Sequence, residues 1–191
     1  MAKRKHTKAN NPMNFWEGKR VLEIGAGPKP QANLFFPGAT VETMDADAQY
    51  KPTYLNDAET IPQELYGKFD VVFASHVLEH FPWMYSANVL REWAKVVPVG
   101  GQVWVIVPSL EWAAEEVLSE EPSPAIYGHL YAGCTTEWDV HKAGFTMRRL
   151  RALFESARLG VFQAYSMAYN IQILGNVMAA QQHIVAGVRG E

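Results

Sequence analysis

Two carboxylates and two glycines carry the first chemistry legible in this chain. Glu23 lies in the apolar run Val21-Leu22-Glu23-Ile24, which turns at once into Gly25-Ala26-Gly27-Pro28. A second apolar run, Thr40-Val41-Glu42-Thr43-Met44, ends in Asp45-Ala46-Asp47, with Asp45 eighteen residues after Gly27. Glycines let a backbone pass close beneath a ligand and adopt turn dihedrals closed to other residues. A carboxylate at the tip of the neighbouring strand can accept both hydroxyls of a ribose. Glu23, Gly25, Ala26, Gly27, Asp45 and Ala46 therefore describe a turn built to hold a nucleoside.

The choice of nucleoside follows from what the turn lacks. A dinucleotide site needs a third glycine so that a helix can pack close and offer its N-terminus to a pyrophosphate. Here that position is Pro30, Pro28 also lacks a backbone N–H, and Glu23 would repel a phosphate. A cofactor without phosphate that carries a cationic amino acid, S-adenosylmethionine, suits the turn better than NAD. The Glu-x-Gly-x-Gly pattern resembles the first motif of the class I S-adenosylmethionine-dependent methyltransferases. Phe69-Asp70-Val71-Val72-Phe73-Ala74-Ser75-His76-Val77-Leu78-Glu79-His80-Phe81 resembles their fourth-strand motif, and Pro98 to Pro108 their glycine turn and fifth strand. Asn56-Asp57-Ala58-Glu59 stands where members of that superfamily place an acidic residue beside the adenine amino group. The resemblance spans about residues 19 to 166 and is nearest in character to the small type 11 methyltransferases.

That resemblance implies a Rossmann-like, doubly wound α/β fold. Its sheet has seven mostly parallel strands with an antiparallel closing strand. It implies that Glu23 orients the methionine ammonium, directly or through water, and that Asp45 holds the ribose. Asp57, or its neighbour Asn56, meets the adenine beside Ala58, and Ser75 and His76 lie near the transferable methyl group. The implied activity is methyl transfer to oxygen or nitrogen of a small-molecule or glycan-like acceptor. Two rivals stand beside it: a non-catalytic partner or regulatory subunit that binds the cofactor, and an NAD-type oxidoreductase disfavoured by Pro30. DNA methylation is not supported. Ser75-His76-Val77-Leu78 replaces the base-stacking Pro-Pro segment, and Cys134 follows Gly133 rather than proline.

The elements that must position these residues alternate along the chain. Short apolar runs mark strands at about 20–24, 40–44, 69–74 and 102–107, with a weaker one at 53–55. A short helix or turn is expected at 31–36. A stronger helix is expected at 84–97, where Val89, Leu90, Trp93, Val96 and Val97 recur at helical spacing. Another covers about 145–159, with Thr146 as its N-cap, Leu150, Leu153, Phe154 and Ala157 on one face, and Gly160 at its end. Segments 161–168 and 182–188 would close the sheet. Such alternation means βαβ units and a parallel sheet.

Residues 109–144 exceed a simple connection. They leave the C-terminal end of a strand, the side on which open α/β sheets bind ligands. Part helix, at about 110–119, and rich in aromatic and histidine residues, the segment reads as a substrate lid, with a cover for the sheet edge as the alternative. An acceptor hydroxyl must lose its proton as it attacks, and histidine titrates near neutrality. His141 is the first candidate base, ahead of His129; His80 reads first as a structural histidine, and Tyr131 and Asp139 complete the set. His141-Lys142-Ala143-Gly144-Phe145 resembles a run that many relatives carry ahead of this helix. His76 and His80, four residues apart, suggest a metal pair, but the His-Glu-x-x-His order is absent and sequence shows no third ligand, so no metal is expected.

Composition sets the remaining bounds. A chain of 191 residues with 48% hydrophobic and 19% charged residues is one ordinary globular domain, expected over 19–191 behind a basic, flexible 1–18. Lys3, Arg4, Lys5 and Lys8 put four positive charges on the first eight residues, so a net charge of −3 leaves −7 on the rest. A negative body argues against a nucleic-acid surface. One cysteine, Cys134, permits no internal disulfide and fits a reducing cytoplasm. The polar stretch from Lys8 to Asn14 is no signal-peptide core, and no run is long enough to span a membrane. Composition leaves the oligomeric state open.

Overall fold

The computed structural model describes residues 15–167 and 169–179. The apolar runs form the expected parallel strands: β1 (Arg20–Ile24), β2 (Thr40–Asp45), the short β3 (Tyr54–Leu55), β4 (Val71–Ser75) and β5 (Gln102–Pro108). With β6 (Leu159–Met167) and β7 (Asn170–Val177) they make one sheet in the order β3-β2-β1-β4-β5-β7-β6. The pairs from β3 to β5 are parallel, and β7 runs antiparallel to both β5 and β6. The chain winds outward from β1 in one direction and from β4 in the other. A crevice therefore opens at the carboxyl ends of these two strands, where the connections diverge.

Both faces of the sheet are covered, which explains strands without polar alternation. Leu22, Ile24, Val72 and Ala74 face a core shared with α2 (Ser86–Ala94) and α5 (Met147–Ser156), where Leu90, Trp93, Leu150 and Phe154 are wholly buried. The intervening Val21, Val71 and Phe73 face the other side, beneath α1 (Ala32–Phe35) and Phe36. Successive strand side chains point to opposite faces, so two buried faces demand an unbroken apolar run. On the α1 side the packing is aromatic: the Phe36 ring lies 5.5 Å from Phe73 and 5.0 Å from Trp104, both edge-on. Trp16 joins it, 4.8 Å from Phe36. The docked indole ties residues 15–18 to the core, and positions 1–14 of the expected flexible segment lie outside the described residues.

Two boundaries differ from expectation. The segment 182–188 lies outside the described residues, and the strand that closes the sheet against β5 is β7 at Asn170–Val177. Its Gly175-Asn176 imitates a turn, but a side chain at Gly175 would place Cβ 2.8 Å from the Phe154 ring. Glycine is needed there because α5 crosses so close. Thr146 caps α5 as expected, accepting from the Arg149 amide at 3.1 Å. Gly160, however, belongs to β6, and Arg158 at φ 62° makes the left-handed turn after the helix.

The long segment after β5 folds into α3 (Leu110–Val117) and α4 (Ile126–Tyr131) with irregular connections. Ser109 caps α3 by accepting from Trp112, and the Leu110 amide donates to the Phe145 carbonyl at 2.9 Å, bringing the two ends of the segment together. Near its return, the Lys142 and Ala143 amides donate to the Glu79 carbonyl. The whole excursion is thereby pinned beside the crevice. Among the described residues, no helix is long and apolar enough to cross a membrane.

Candidate functional site

The turn after β1 is held in a form that favours glycine. Gly25 and Gly27 take φ of 65° and 56°, and the Gly25 amide donates to the Met44 carbonyl of β2 at 2.8 Å. A Cβ on Gly25 would lie 2.4 Å from Cγ2 of Val77, whereas one on Gly27 would meet open space. Gly25→Ala therefore adds a clash to a disfavoured backbone. Chemical denaturation should show a loss of roughly 1–3 kcal/mol, the usual cost of a strained backbone conformation, with Gly27→Ala nearer the low end.

Asp45 anchors the other side of the turn. Its Oδ2 accepts from the Gly27 amide at 2.8 Å and its Oδ1 from the Asp47 amide at 2.9 Å. Each oxygen keeps a second lone pair. These residues line a cleft of about 640 Å³ together with Ala46, Asn56, Asp57, Ala58 and His76, closed on the far side by Thr135, Trp138 and Asp139 of the insertion. Asp57 accepts from the Glu59 amide through Oδ1, and the Asn56 amide group donates to the Asp57 and Thr60 carbonyls. Gly25, Gly27, Asp45, Ala46, Asp57, Ala58 and His76 thus come together around one cleft.

Glu23, Ala26 and Ser75 do not line the cleft. Glu23 is buried, with Oε1 accepting from the Gln31 amide at 2.7 Å and Oε2 from the Ala32 amide at 3.0 Å. Its carboxylate anchors the start of α1, whose free amides it satisfies. Burial pushes its carboxyl pKa up, and the two amides pull it back. Ala26 packs into the core, and Ser75 ends β4 short of the cleft.

A second cavity, of about 650 Å³, lies behind the first and shares His76, His80 and Asp139 with it. His129, His141, Trp112 and Tyr169 form part of its wall. His76 takes φ 58°, rare for a residue with a side chain, and its Nδ1 lies 3.2 Å from Oε1 of Glu79. His80 Nδ1 lies 3.2 Å from the Val140 carbonyl, and His141 Nδ1 lies 3.0 Å from the His129 carbonyl. His141 Nε2 faces Oε1 of Glu79 at 3.9 Å. Burial holds the His141 imidazole below its ordinary pKa, the nearby Glu79 charge opposing this. His129 differs: its Nε2 is bonded to the Ser109 carbonyl at 2.9 Å and its ring lies 4.6 Å from Trp112. Glu79, buried at the centre of this group, carried no sequence signal as a site residue. Its partner His141 reaches it only through the return of the insertion.

A family model for a methyltransferase domain matches residues 3–150. The chain belongs to this methyltransferase-domain family. Among curated proteins, none matches its sequence. Solved methyltransferases share the fold at low identity. One is from Bacillus halodurans, with a TM-score of 0.65 and 15% identity, covering 87% of this chain and 96% of the other. Another is from the Haloferax volcanii complex of a methyltransferase with the Trm112 methyltransferase activator, at 0.66 and 14%, covering 90% and 87%. The Burkholderia thailandensis 1,6-didemethyltoxoflavin-N1-methyltransferase, solved with S-adenosylhomocysteine, follows at 0.59 and 14%, covering 85% and 72%. In this methyltransferase domain the mostly parallel seven-stranded sheet, with antiparallel strands closing one edge, is the shared framework.

Proposed function

We propose that this domain transfers a methyl group from S-adenosylmethionine to a small-molecule or glycan-like acceptor, to oxygen slightly in preference to nitrogen. The observation that carries the proposal is the pairing of two cavities across one wall. A glycine-and-carboxylate cleft lies on one side, a histidine-lined pocket on the other, and His76, His80 and Asp139 face both. The cleft fits the cofactor's chemistry: Asp45 keeps lone pairs for two ribose hydroxyls, and Asp57 keeps Oδ2 to accept from an adenine amine. The activated sulfonium supplies the reactive methyl group, so the protein's task is alignment and proton handling.

The segment 109–144 serves as the acceptor lid. Trp112 and His129 of the insertion wall the inner cavity, beside Tyr169 at the β6–β7 turn. As the acceptor oxygen bonds to the methyl carbon, the carbon–sulfur bond breaks and the hydroxyl proton must leave. His141 and His80 are placed for this, since each has Nδ1 held by a backbone carbonyl and Nε2 free. His129 has the mirror arrangement, with Nε2 held by the Ser109 carbonyl and its ring packed on Trp112, and stands second to His141. Purified protein incubated with methyl-radiolabelled cofactor and panels of sugars, nucleosides and phenols tests the proposal. Label transferred to one class supports it. Tight cofactor binding with no transfer to any class favours a non-catalytic cofactor-binding partner.

A further inference from the structure

We infer that Glu79, His80 and His141 form a binding site for a divalent first-row transition-metal ion in the wall between the two cavities. One ligand atom from each residue lies within 4.8 Å of the others. Donors about 2.0–2.2 Å from a common ion stand up to about 4.4 Å apart, so shifts of tenths of an ångström close the shell. The sequence shows His76 and His80 without a third ligand. The fold supplies His141 from the end of the insertion and turns Glu79 inward.

Two independent features point to a cation. Glu79 is 1% exposed, and neither of its carboxylate oxygens has a hydrogen-bond partner among the described residues. The imidazoles of His76, at 3.2 Å, and His141, at 3.9 Å, pair with it only when protonated, and a buried carboxylate without a fixed positive charge beside it is costly unless it coordinates a metal. The imidazoles are also set as ligands are set. The carbonyls of Val140 and His129 can only accept, so they fix the proton on Nδ1 of His80 and His141 and leave the Nε2 lone pair bare. Metal-bound histidines characteristically give their other N–H to such an acceptor. On His141 that bare lone pair faces a carboxylate oxygen 3.9 Å away, an arrangement that calls for positive charge between them. A proton would join two of these atoms; a metal ion joins all three. His76, with Nδ1 3.2 Å from the same oxygen, lies outside this three-residue group as an ion-pair partner of Glu79.

Two imidazoles and one carboxylate with open positions suit zinc, iron(II) or manganese(II) rather than magnesium or calcium. His80 and His141 line the acceptor cavity, so the open positions face it. Here the inference deepens the methyl-transfer reading. An acceptor hydroxyl bound to the ion would be oriented and made more acidic, its proton leaving to water, and a vicinal diol of a sugar could offer two oxygens. With the ion present, the two histidines act on the acceptor through it.

The test uses tag-free full-length protein, stripped with chelator and titrated with Co²⁺ while the visible d–d absorption is recorded, followed by displacement with Zn²⁺. One equivalent of Co²⁺ should bind and be displaced by zinc. Glu79→Gln and His141→Ala, each shown to be folded by circular dichroism, should weaken Co²⁺ binding at least tenfold, whereas Cys134→Ser, at an exposed thiol, should not change it. His80→Ala serves if either variant fails to fold. Absence of saturable one-to-one binding in the unmodified protein, or unchanged affinity in the folded Glu79 and His141 variants, would overturn the site. Neither cofactor nor acceptor is present, so that failure would leave methyl transfer standing. Intact Co²⁺ binding without S-adenosylmethionine binding would instead overturn the proposed activity.

Discussion

His141→Ala should lower turnover by about 10²–10⁴, the usual worth of a positioned acid or base, while leaving cofactor affinity nearly unchanged. The asymmetry follows from where the imidazole stands. His141 lines the inner cavity but not the cofactor cleft, so its removal leaves Asp45, Asp57 and the glycine turn as they are. Its Nδ1 is held by the His129 carbonyl and its Nε2 faces Glu79, an orientation that alanine cannot replace. Steady-state rates with a labelled acceptor and calorimetry with the cofactor give the two readouts. Unchanged turnover, or loss of the cofactor, would remove His141 from the mechanism.

Asp45→Ala should weaken cofactor binding tenfold or more. A carboxylate accepting ribose hydroxyls makes charge-assisted hydrogen bonds worth about 1.5–3 kcal/mol each. The structure adds a second route to the same loss. Asp45 also receives the Gly27 and Asp47 amides, so its removal frees the glycine turn that lines the cleft. Asp45→Asn removes the charge but keeps one acceptor oxygen, leaving one of the two turn amides to face an NH2 donor. The asparagine variant should lose less thermal stability than the alanine variant and bind the cofactor several-fold more weakly than wild type. Unchanged affinity in folded Asp45→Ala would show that the ribose is held elsewhere.

The parallel half of the sheet was legible because burial on two faces leaves no alternative to an apolar run. Val21 to Ile24 and Val71 to Ala74 show this, their neighbours sorting to opposite cores. β7 was not legible, since Gly175-Asn176 has the signature of a turn and its real cause is the approach of Phe154 from a distant helix. α4 was missed for a related reason: Ile126–Tyr131 is short and contains Gly128, so neither length nor propensity marks it. Within the site, Gly25, Gly27 and Asp45 were legible because close backbone approach restricts residue type. For Glu23, spacing could not reveal which amides a buried carboxylate meets; here they are those of Gln31 and Ala32. The group of Glu79, His80 and His141 depends on the return of a long insertion, which no local pattern encodes.

The central claim concerns the cofactor, and the start of α1 decides what the cleft can bind. A dinucleotide would need free amides at a helix N-terminus for its pyrophosphate. Pro28 and Pro30 have none, and the Gln31 and Ala32 amides already donate to Glu23. Calorimetric titration of the purified protein with S-adenosylmethionine, S-adenosylhomocysteine, NAD and NADP tests this most directly. One-to-one binding of the first two and no heat of binding from the nicotinamide cofactors is the predicted result. Binding of NAD or NADP in place of S-adenosylmethionine would contradict it.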